Sequence, residues 1–160
     1  PYDFGCRDLI YADDKWICLS GSQIYFSYDG IEWFRSISDF GQLPFSSGCV
    51  RYAKGTWVSV VATESESRPE VRVVVSDDGA TWVTAMRKTS SSSVKMAYAD
   101  DCGVWLVLID GELYRSTDGK TWNAVDAKTN EGADASFAPM MATLPVDWTS
   151  LNVPGCHVYT

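Results

Sequence analysis

The stretch SDDGATW at residues 76–82 recurs twice in closely similar form. The other copies are SYDGIEW at 27–33 and STDGKTW at 116–122. A second match precedes each copy: IYADDKW at 10–16, RYAKGTW at 51–57 and AYADDCGVW at 97–105. Similarity that returns at a steady spacing of a few tens of residues is typical of repeat architectures. The sequence therefore predicts three copies of one structural unit.

Apolar and polar residues alternate inside each copy with a period of two, which indicates β-strands. In the middle copy the strand segments are VRYA, TWVSVVAT, VRVVVS and ATWVTA. Four strands joined in this order form an antiparallel meander, the unit of a propeller blade. We predict an all-β, β-propeller-type single domain (1–160) with three four-stranded antiparallel blades at 8–38, 48–87 and 94–126, followed by an irregular C-terminal extension at 127–160.

The recurring residues are expected to build the blades rather than to act on a ligand. Asp-Gly between alternating strands is a strong hairpin signal, and Ser and Asp side chains bond nearby backbone N–H groups. The closing Trp is broad enough to fill the seam against a neighbouring sheet. The predicted motif residues are Ser27, Asp29, Gly30, Trp33, Ser76, Asp78, Gly79, Trp82, Ser116, Asp118, Gly119 and Trp122. The predicted repeat core is Tyr11, Trp16, Tyr52, Trp57, Tyr98 and Trp105.

The motif Ser-x-Asp-Gly-x-Thr-Trp resembles the Asp-box, or BNR repeat, of sialidase-type β-propellers. Thr81 and Thr121 match the residue before the Trp, whereas Glu32 replaces it in the first copy. All three copies are one residue shorter between Asp and Gly than the fuller form of the motif. The resemblance implies a propeller architecture. It implies little about activity, because in that family the box lies away from the catalytic face.

Three blades are one fewer than the smallest common closed propeller. Two arrangements stay open: the C-terminal extension and the N-terminus close a small ring, or other subunits complete a larger one. An open arc exposes apolar faces and unpaired strand edges, which natural proteins cover. We therefore expect protein partners, either copies of this chain or subunits of a larger assembly.

The formal net charge of −8 argues against nucleic acid or an anionic membrane as the main partner, since both attract cationic proteins. No apolar run approaches the length of a membrane helix, and the start PYDF has no signal-peptide features. Five cysteines are scattered without a CxxC pair, and an odd number cannot all pair within one chain. We expect reduced cysteines, no membrane insertion, and synthesis in a reducing cytoplasm without a signal peptide.

No catalytic set is recognisable in the sequence. The resemblance to sialidases implies three arginines for a substrate carboxylate, and Arg7, Arg51 and Arg72 are candidates, but none lies in a catalytic motif of that family. The single histidine, His157, adjoins Cys156 and lacks further zinc ligands. The sequence therefore predicts that the protein is not an enzyme and needs no metal or cofactor.

Aromatic loop residues are the candidates for contact with a ligand. Tyr2 and Phe4 in YDFG, and Phe40 and Phe45 in DFGQLPF, could stack on sugar rings. For Phe40 and Phe45 we favour a different interpretation, in which they anchor the connection between the first two blades.

Three functions follow from these expectations. The first is a non-enzymatic structural or adhesive module, because small proteins with this motif are similar to bacteriophage virion proteins; it would act in a tail or appendage, in assembly or receptor attachment. The second is a lectin-like module for cell-surface glycans. The third is a fragment of a sialidase-type glycoside hydrolase.

Overall fold

Three β-sheets make up the computed structural model, which describes residues 5–41, 44–63, 69–90 and 94–126. The first sheet contains β1 (Cys6–Ala12), β2 (Lys15–Ser20), β3 (Gln23–Ser27) and β4 (Phe34–Arg35). The second contains β5 (Ile37–Ser38), β6 (Phe45–Ala53), β7 (Thr56–Thr63), β8 (Glu70–Ser76) and β9 (Thr81–Thr89). The third contains β10 (Val94–Ala99), β11 (Val104–Ile109), β12 (Glu112–Ser116) and β13 (Asn123–Val125).

Neighbouring strands follow chain order and are antiparallel in all three sheets, apart from β5. The prediction of an all-β, propeller-like fold is therefore confirmed. The middle sheet has five strands rather than the predicted four, because β5 runs parallel to β9 and pairs Ile37 with Thr81. The chain thus lies along the far edge of the second sheet before it enters that sheet at β6. The predicted extension at 127–160, with Tyr2 and Phe4, lies outside the described residues.

Two-residue turns close three of the hairpins. Both residues of each turn have positive φ, which is the geometry that matches the twist of paired strands. Gly, Asn and Asp adopt it most easily. The turn residues are Asp13 and Asp14, Lys54 and Gly55, and Asp110 and Gly111. Lys54 adopts a φ of 49° at the first position of the middle turn, where a residue with a Cβ is strained.

The Asp-Gly of the repeated motif forms a different turn from the predicted hairpin. Only the glycine has positive φ, at 75° in Gly30, 72° in Gly79 and 74° in Gly119. The aspartate instead binds backbone N–H groups through its side chain, so strand pairing resumes later in the chain. In the first copy β4 begins only at Phe34, whereas the sequence pattern predicts a strand from Ile31.

The core lies on both faces of the middle sheet. One cluster joins that sheet to the first through Ile17, Leu19, Trp57 and Trp82, among others. The other joins it to the third through Val58, Val60, Val107 and Ile109, among others. Successive residues of β7 point to opposite faces, so both faces of this strand are buried. This explains the nearly continuous apolar sequence TWVSVVAT.

The first strands of the three blades are neighbours. β6 contacts β1 on one side and β10 on the other. This is the arrangement of inner strands around a propeller axis. Side chains that leave these strands toward the axis therefore converge, although they are far apart in sequence.

Candidate functional site at the inner strands

Asp8 is held between two inner strands. Its Oδ2 accepts hydrogen bonds from the backbone N–H of Val50 at 2.8 Å and from Nη1 of Arg51 at 2.9 Å. Its Oδ1 accepts the N–H of Leu9 at 3.0 Å. A bulge in β1 between Cys6 and Asp8 shifts the pairing register there. The Asp8 side chain is 25% exposed and that of Arg51 47%, so the ion pair is fixed by the backbone yet open to solvent.

Three cationic side chains lie on the inner strands, namely Arg7, Arg51 and Lys95. Arg51 also donates to the carbonyl of Val50 at 2.7 Å, and Arg7 donates to the carbonyl of Ser46 at 2.8 Å. Lys95 of β10 is partly buried. Its charge and those of Arg51 and Asp8 act on the Cys49 thiol.

Cys49 is the uncharged member of the group. Burial raises the pKa of its thiol to about 11, although the cations of Arg51 and Lys95 oppose the shift. The thiol is therefore protonated at neutral pH and is a weak nucleophile. Arg7, Asp8, Cys49, Arg51 and Lys95 are called the inner-strand cluster below.

The repeat itself explains why three of these residues converge. Asp8, Cys49 and Lys95 each lie three residues before the recurring tyrosine, that is, before Tyr11, Tyr52 and Tyr98. In a repeat structure, residues at the same position of each repeat lie at corresponding places around the common axis. One position of the repeat therefore carries a carboxylate, a thiol and an ammonium group in the three sheets. The sequence prediction missed Asp8, and this alignment is the signal that could have found it.

The inner-strand cluster can bind a polyhydroxyl ligand. A carboxylate has about four lone-pair sites and a guanidinium five N–H donors. The bonds described above use three sites of Asp8, so its Oδ1 retains acceptor capacity. Arg51 uses Nη1 for both of its bonds. Its other N–H groups make none of the bonds described above, so the pair offers both donors and an acceptor to a ligand with several hydroxyls.

The candidate arginines do not form one group. Arg7 and Arg51 both lie on inner strands, in agreement with an axial position. Arg72 lies on β8, and its Nε donates to Glu70 at 2.9 Å with the side chain only 10% exposed. A three-arginine carboxylate site of the sialidase type is therefore absent from the described part of the chain.

The three motif turns share one hydrogen-bond pattern. The serine Oγ accepts the N–H of the glycine at 2.9, 2.8 and 2.9 Å in Ser27, Ser76 and Ser116. The aspartate Oδ1 accepts the N–H groups two and three residues later, at 2.8 and 2.7 Å for Asp118. The tryptophan Nε1 donates to the glycine carbonyl in every copy. The serine hydroxyl, the aspartate Oδ1 and the tryptophan N–H thus serve the turn in every copy.

These backbone N–H groups also lower the pKa of the motif aspartates. Hydrogen bonds from Thr121 and Lys120 hold the pKa of Asp118 down at about 2. The N–H groups of Ile31 and Glu32 lower the pKa of Asp29 in the same way. These carboxylates are ionised at neutral pH and already accept hydrogen bonds within their own turns. They therefore have no proton to donate and are not available as general acids.

The repeat-core residues pair as Tyr–Trp contacts within each sheet. Ring centroids are 4.9 Å apart for Tyr11 and Trp16, 4.6 Å for Tyr52 and Trp57, and 4.6 Å for Tyr98 and Trp105. Trp57, Trp82 and Trp105 are fully buried. Trp16, Trp33 and Trp122 are half-buried, and Tyr11 is exposed.

Phe40 and Phe45 are buried, which contradicts the candidate role in which they face a ligand. Their exposures are 6% and 0%, and their ring centroids lie 6.1 Å apart in the core between the first two sheets. Phe40 follows β5 and Phe45 begins β6, and both side chains turn inward at this seam. The structure thus agrees with the anchoring role, which the sequence analysis favoured over contact with a ligand.

Other features of the described ranges are less suited to bind a ligand. An open groove of about 590 Å³ lies beside the second and third motif turns, where Lys120 binds Asp77 at 2.9 Å. No group of three His, Cys, Asp or Glu side chains in residues 5–41, 44–63, 69–90 and 94–126 could hold a metal ion. The same ranges contain no helix long and apolar enough to cross a membrane.

The cysteines differ from the expectation of reduced thiols at one position. Cys102 is disulfide-bonded. Cys6, Cys18 and Cys49 are free thiols.

Comparison with known proteins identifies a fold but not a family. No family model and no curated protein matches the chain. A candidate glycosidase from Bacteroides thetaiotaomicron is similar in structure, with 14% identity, a TM-score of 0.50, and coverage of 83% of this chain and 52% of that protein. A candidate glycoside hydrolase from Bacteroides ovatus has 13% identity, a TM-score of 0.50, and coverage of 84% and 51%. The chain spans about half the length of these structures.

These matches correct the prediction that the protein is not an enzyme. The structures that share its fold are described as glycosidases or glycoside hydrolases. That prediction was wrong because it took the missing catalytic set as evidence, although a propeller collects such residues from blades all around its ring. The comparisons do not support membership of the Asp-box family or a role in a virion. What they show is a glycosidase-like, propeller-type fold at low sequence identity.

Proposed function

We propose that the chain is part of a carbohydrate-active β-propeller in which Asp8 and Arg51 contact the hydroxyl groups of a sugar. The observation that carries this proposal is the Asp8–Arg51 pair on adjacent inner strands, fixed by the N–H of Val50 and open to solvent. Sugars are recognised through pairs of hydroxyls, and a carboxylate beside a guanidinium offers an acceptor and donors at matching spacing.

The net charge of the whole chain supports a neutral, polyhydroxyl ligand rather than an anion, although the inner-strand cluster itself holds three cations and one carboxylate. Arg51 already neutralises Asp8, and the Cys49 thiol is uncharged. The net charge of the chain is −8, which repels anionic ligands at long range. A neutral oligosaccharide avoids this repulsion and can still use the open donors and acceptors.

Cleavage of a glycosidic bond needs a second carboxyl group. Most glycoside hydrolases place two Asp or Glu side chains on either side of the bond. Asp8 is the only Asp or Glu on β1, β6 and β10. In this proposal Asp8 is one of the two carboxyl groups, and the second comes from a part of the protein beyond these three strands.

Glycan binding by variants of the inner-strand cluster tests the proposal. We expect the chain to bind neutral oligosaccharides on a glycan array, and Asp8→Asn to weaken binding about 10-fold or more, since a charged hydrogen-bond partner is lost. The amide oxygen of the substituted side chain can still accept the N–H of Val50. The variant should therefore fold, and a thermal melt checks this. Asp101→Asn is the matched control, because Asp101 is an exposed aspartate on the turn before β11.

Two results would contradict the proposal. One is the absence of binding to any glycan by the folded chain. The other is equal binding by the wild type and Asp8→Asn. Hydrolysis of aryl glycosides measured on the same samples separates binding from turnover, since turnover alone depends on the second carboxyl group.

A further inference from the structure

Two free thiols meet at the beginning of the first sheet. The Sγ atoms of Cys6 and Cys18 are 2.8 Å apart, and neither cysteine is disulfide-bonded. A disulfide bond is about 2.05 Å long, so the two sulfurs are within about 0.8 Å of bonding distance. Cys6 begins β1 and Cys18 lies in the middle of β2.

The strand register explains why the thiols meet. Cys6 is opposite Ser20, and Cys18 is opposite Leu9, so the two cysteines are diagonal neighbours on paired strands. Diagonal neighbours normally lie too far apart for short side chains. The register shift between Cys6 and Asp8 changes the local geometry and brings Cys6 to Cys18.

The two thiols differ in their exposure to solvent, and this difference gives them different roles in the exchange. Cys6 is exposed, whereas Cys18 is only 3% exposed. Burial raises the pKa of the Cys18 thiol, and so does its hydrogen bond with Cys6. An external reagent therefore reaches Cys6 first, and Cys18 can react only with a group already attached at Cys6.

We propose that Cys6 and Cys18 form a thiol–disulfide exchange site that closes with a low-molecular-weight disulfide as the oxidant. The Cys6 thiolate attacks one sulfur of the oxidant, which releases one thiolate and leaves a mixed disulfide on Cys6. Cys18 then loses its proton to solvent and attacks the Cys6 sulfur, which releases the second thiolate. Two protein thiols are oxidised to one disulfide, and one external disulfide is reduced to two thiols.

Formation of the disulfide would link the beginning of β1 covalently to β2. The loop between residues 6 and 18 is short, and a cross-link of this length stabilises a domain by restricting its unfolded state. We expect a rise in the melting temperature of roughly 5 to 10 °C. Asp8 lies two residues from Cys6 in the same bulge, but the exchange site does not depend on the proposed carbohydrate function.

Peptide mapping after oxidation tests this proposal. The reduced full chain is incubated with oxidised glutathione at pH 8, quenched with acid, alkylated with N-ethylmaleimide in denaturant so that buried thiols also react, and digested with trypsin without reduction. We expect the peptide ending at Arg7 to be linked to peptide 16–35, with a mass two hydrogens below their sum, together with the rise in melting temperature. The masses of the linked peptides distinguish this disulfide from the one at Cys102.

Variants distinguish the pair from other cysteines. Cys49→Ser should leave the link unchanged, whereas Cys6→Ser should abolish it and the rise in melting temperature; Cys6 is exposed, so this variant should fold. The proposal is overturned if Cys18 remains open to alkylation after oxidation, if glutathione stays bound to Cys6, or if Cys6 is linked to Cys49 instead.

Discussion

Asp118 shows how one residue of the motif stabilises its turn. Its carboxylate accepts two backbone N–H groups, which hold its pKa at about 2, below the ordinary value of 3.8. A carboxyl group whose pKa is lower in the folded state stabilises the fold above its unfolded pKa. That stabilisation is lost as the pH falls through the folded value. The pKa values of Asp29 and Asp78 are also lowered, so the three turns weaken together in acid.

We therefore expect the melting temperature to fall as the pH is lowered from about 4 to 2, the interval between the unfolded and folded pKa values. In Asp118→Asn this dependence should be shallower, and the variant should be about 1 kcal/mol less stable at pH 7, a low value because Asp118 is exposed. Thermal unfolding followed by circular dichroism across this pH range provides the measurement. Identical pH profiles for the variant and the wild type would refute the role of the carboxylate.

Alanine substitutions at Gly119 and Gly55 distinguish the cost of backbone strain from the cost of a steric clash. Both have positive φ, at 74° and 76°. A Cβ on Gly119 would lie 2.9 Å from Cγ2 of Val58 in the middle sheet, whereas a Cβ on Gly55 would meet nothing within 4 Å. Gly119→Ala should cost about 2 to 3 kcal/mol, and Gly55→Ala about 1 kcal/mol. Urea unfolding of both variants checks this, and equal losses would mean that the third motif turn does not pack on the middle sheet.

At the scale of the elements, the seam between the first two sheets depends on Trp82. This residue is fully buried beside Ile17 and Trp57. Trp82→Ala should destabilise the protein by about 3 to 5 kcal/mol. Trp33 occupies the same motif position in the first sheet but is half-buried, so Trp33→Ala should cost clearly less. Denaturant midpoints of the two variants make the comparison, and a larger loss for Trp33→Ala would contradict the packing described here.

The sequence predicted most strands because their patterns are local. The apolar run of β7 and the alternation around it depend on neighbouring residues alone. β5 was not predicted because it has only two residues, and its pairing depends on β9, which comes more than forty residues later. The late start of β4 follows from side-chain hydrogen bonds in the motif turn, which a period-two pattern does not contain.

The candidate site was harder to predict than the fold. The recurring tyrosines and tryptophans are conspicuous, but they pack within the sheets. Asp8 differs from its counterparts Cys49 and Lys95, so a search for repeated residues passes over it. Asp8 is a candidate because β1 lies beside β6, which brings its carboxylate to Arg51. Only the three-dimensional structure shows this contact.

At the scale of the molecule, the three sheets form a glycosidase-like, propeller-type fold. The fold matches cover most of this chain and about half of the larger proteins. The site proposed at the inner strands is where further blades would add residues, because every blade of a propeller presents its first strand to the same axis. Completion by protein partners, expected from the blade count, stays a prediction.

The most direct test of the account is an NMR titration of the isotope-labelled chain with the neutral oligosaccharide that binds best on the array. We expect the backbone amide signals of Asp8, Val50 and Arg51 to shift with saturable dependence on the sugar concentration, while those of the motif turns at Asp29, Asp78 and Asp118 do not. Shifts confined to the motif turns, or no saturable shifts at the inner strands, would contradict it.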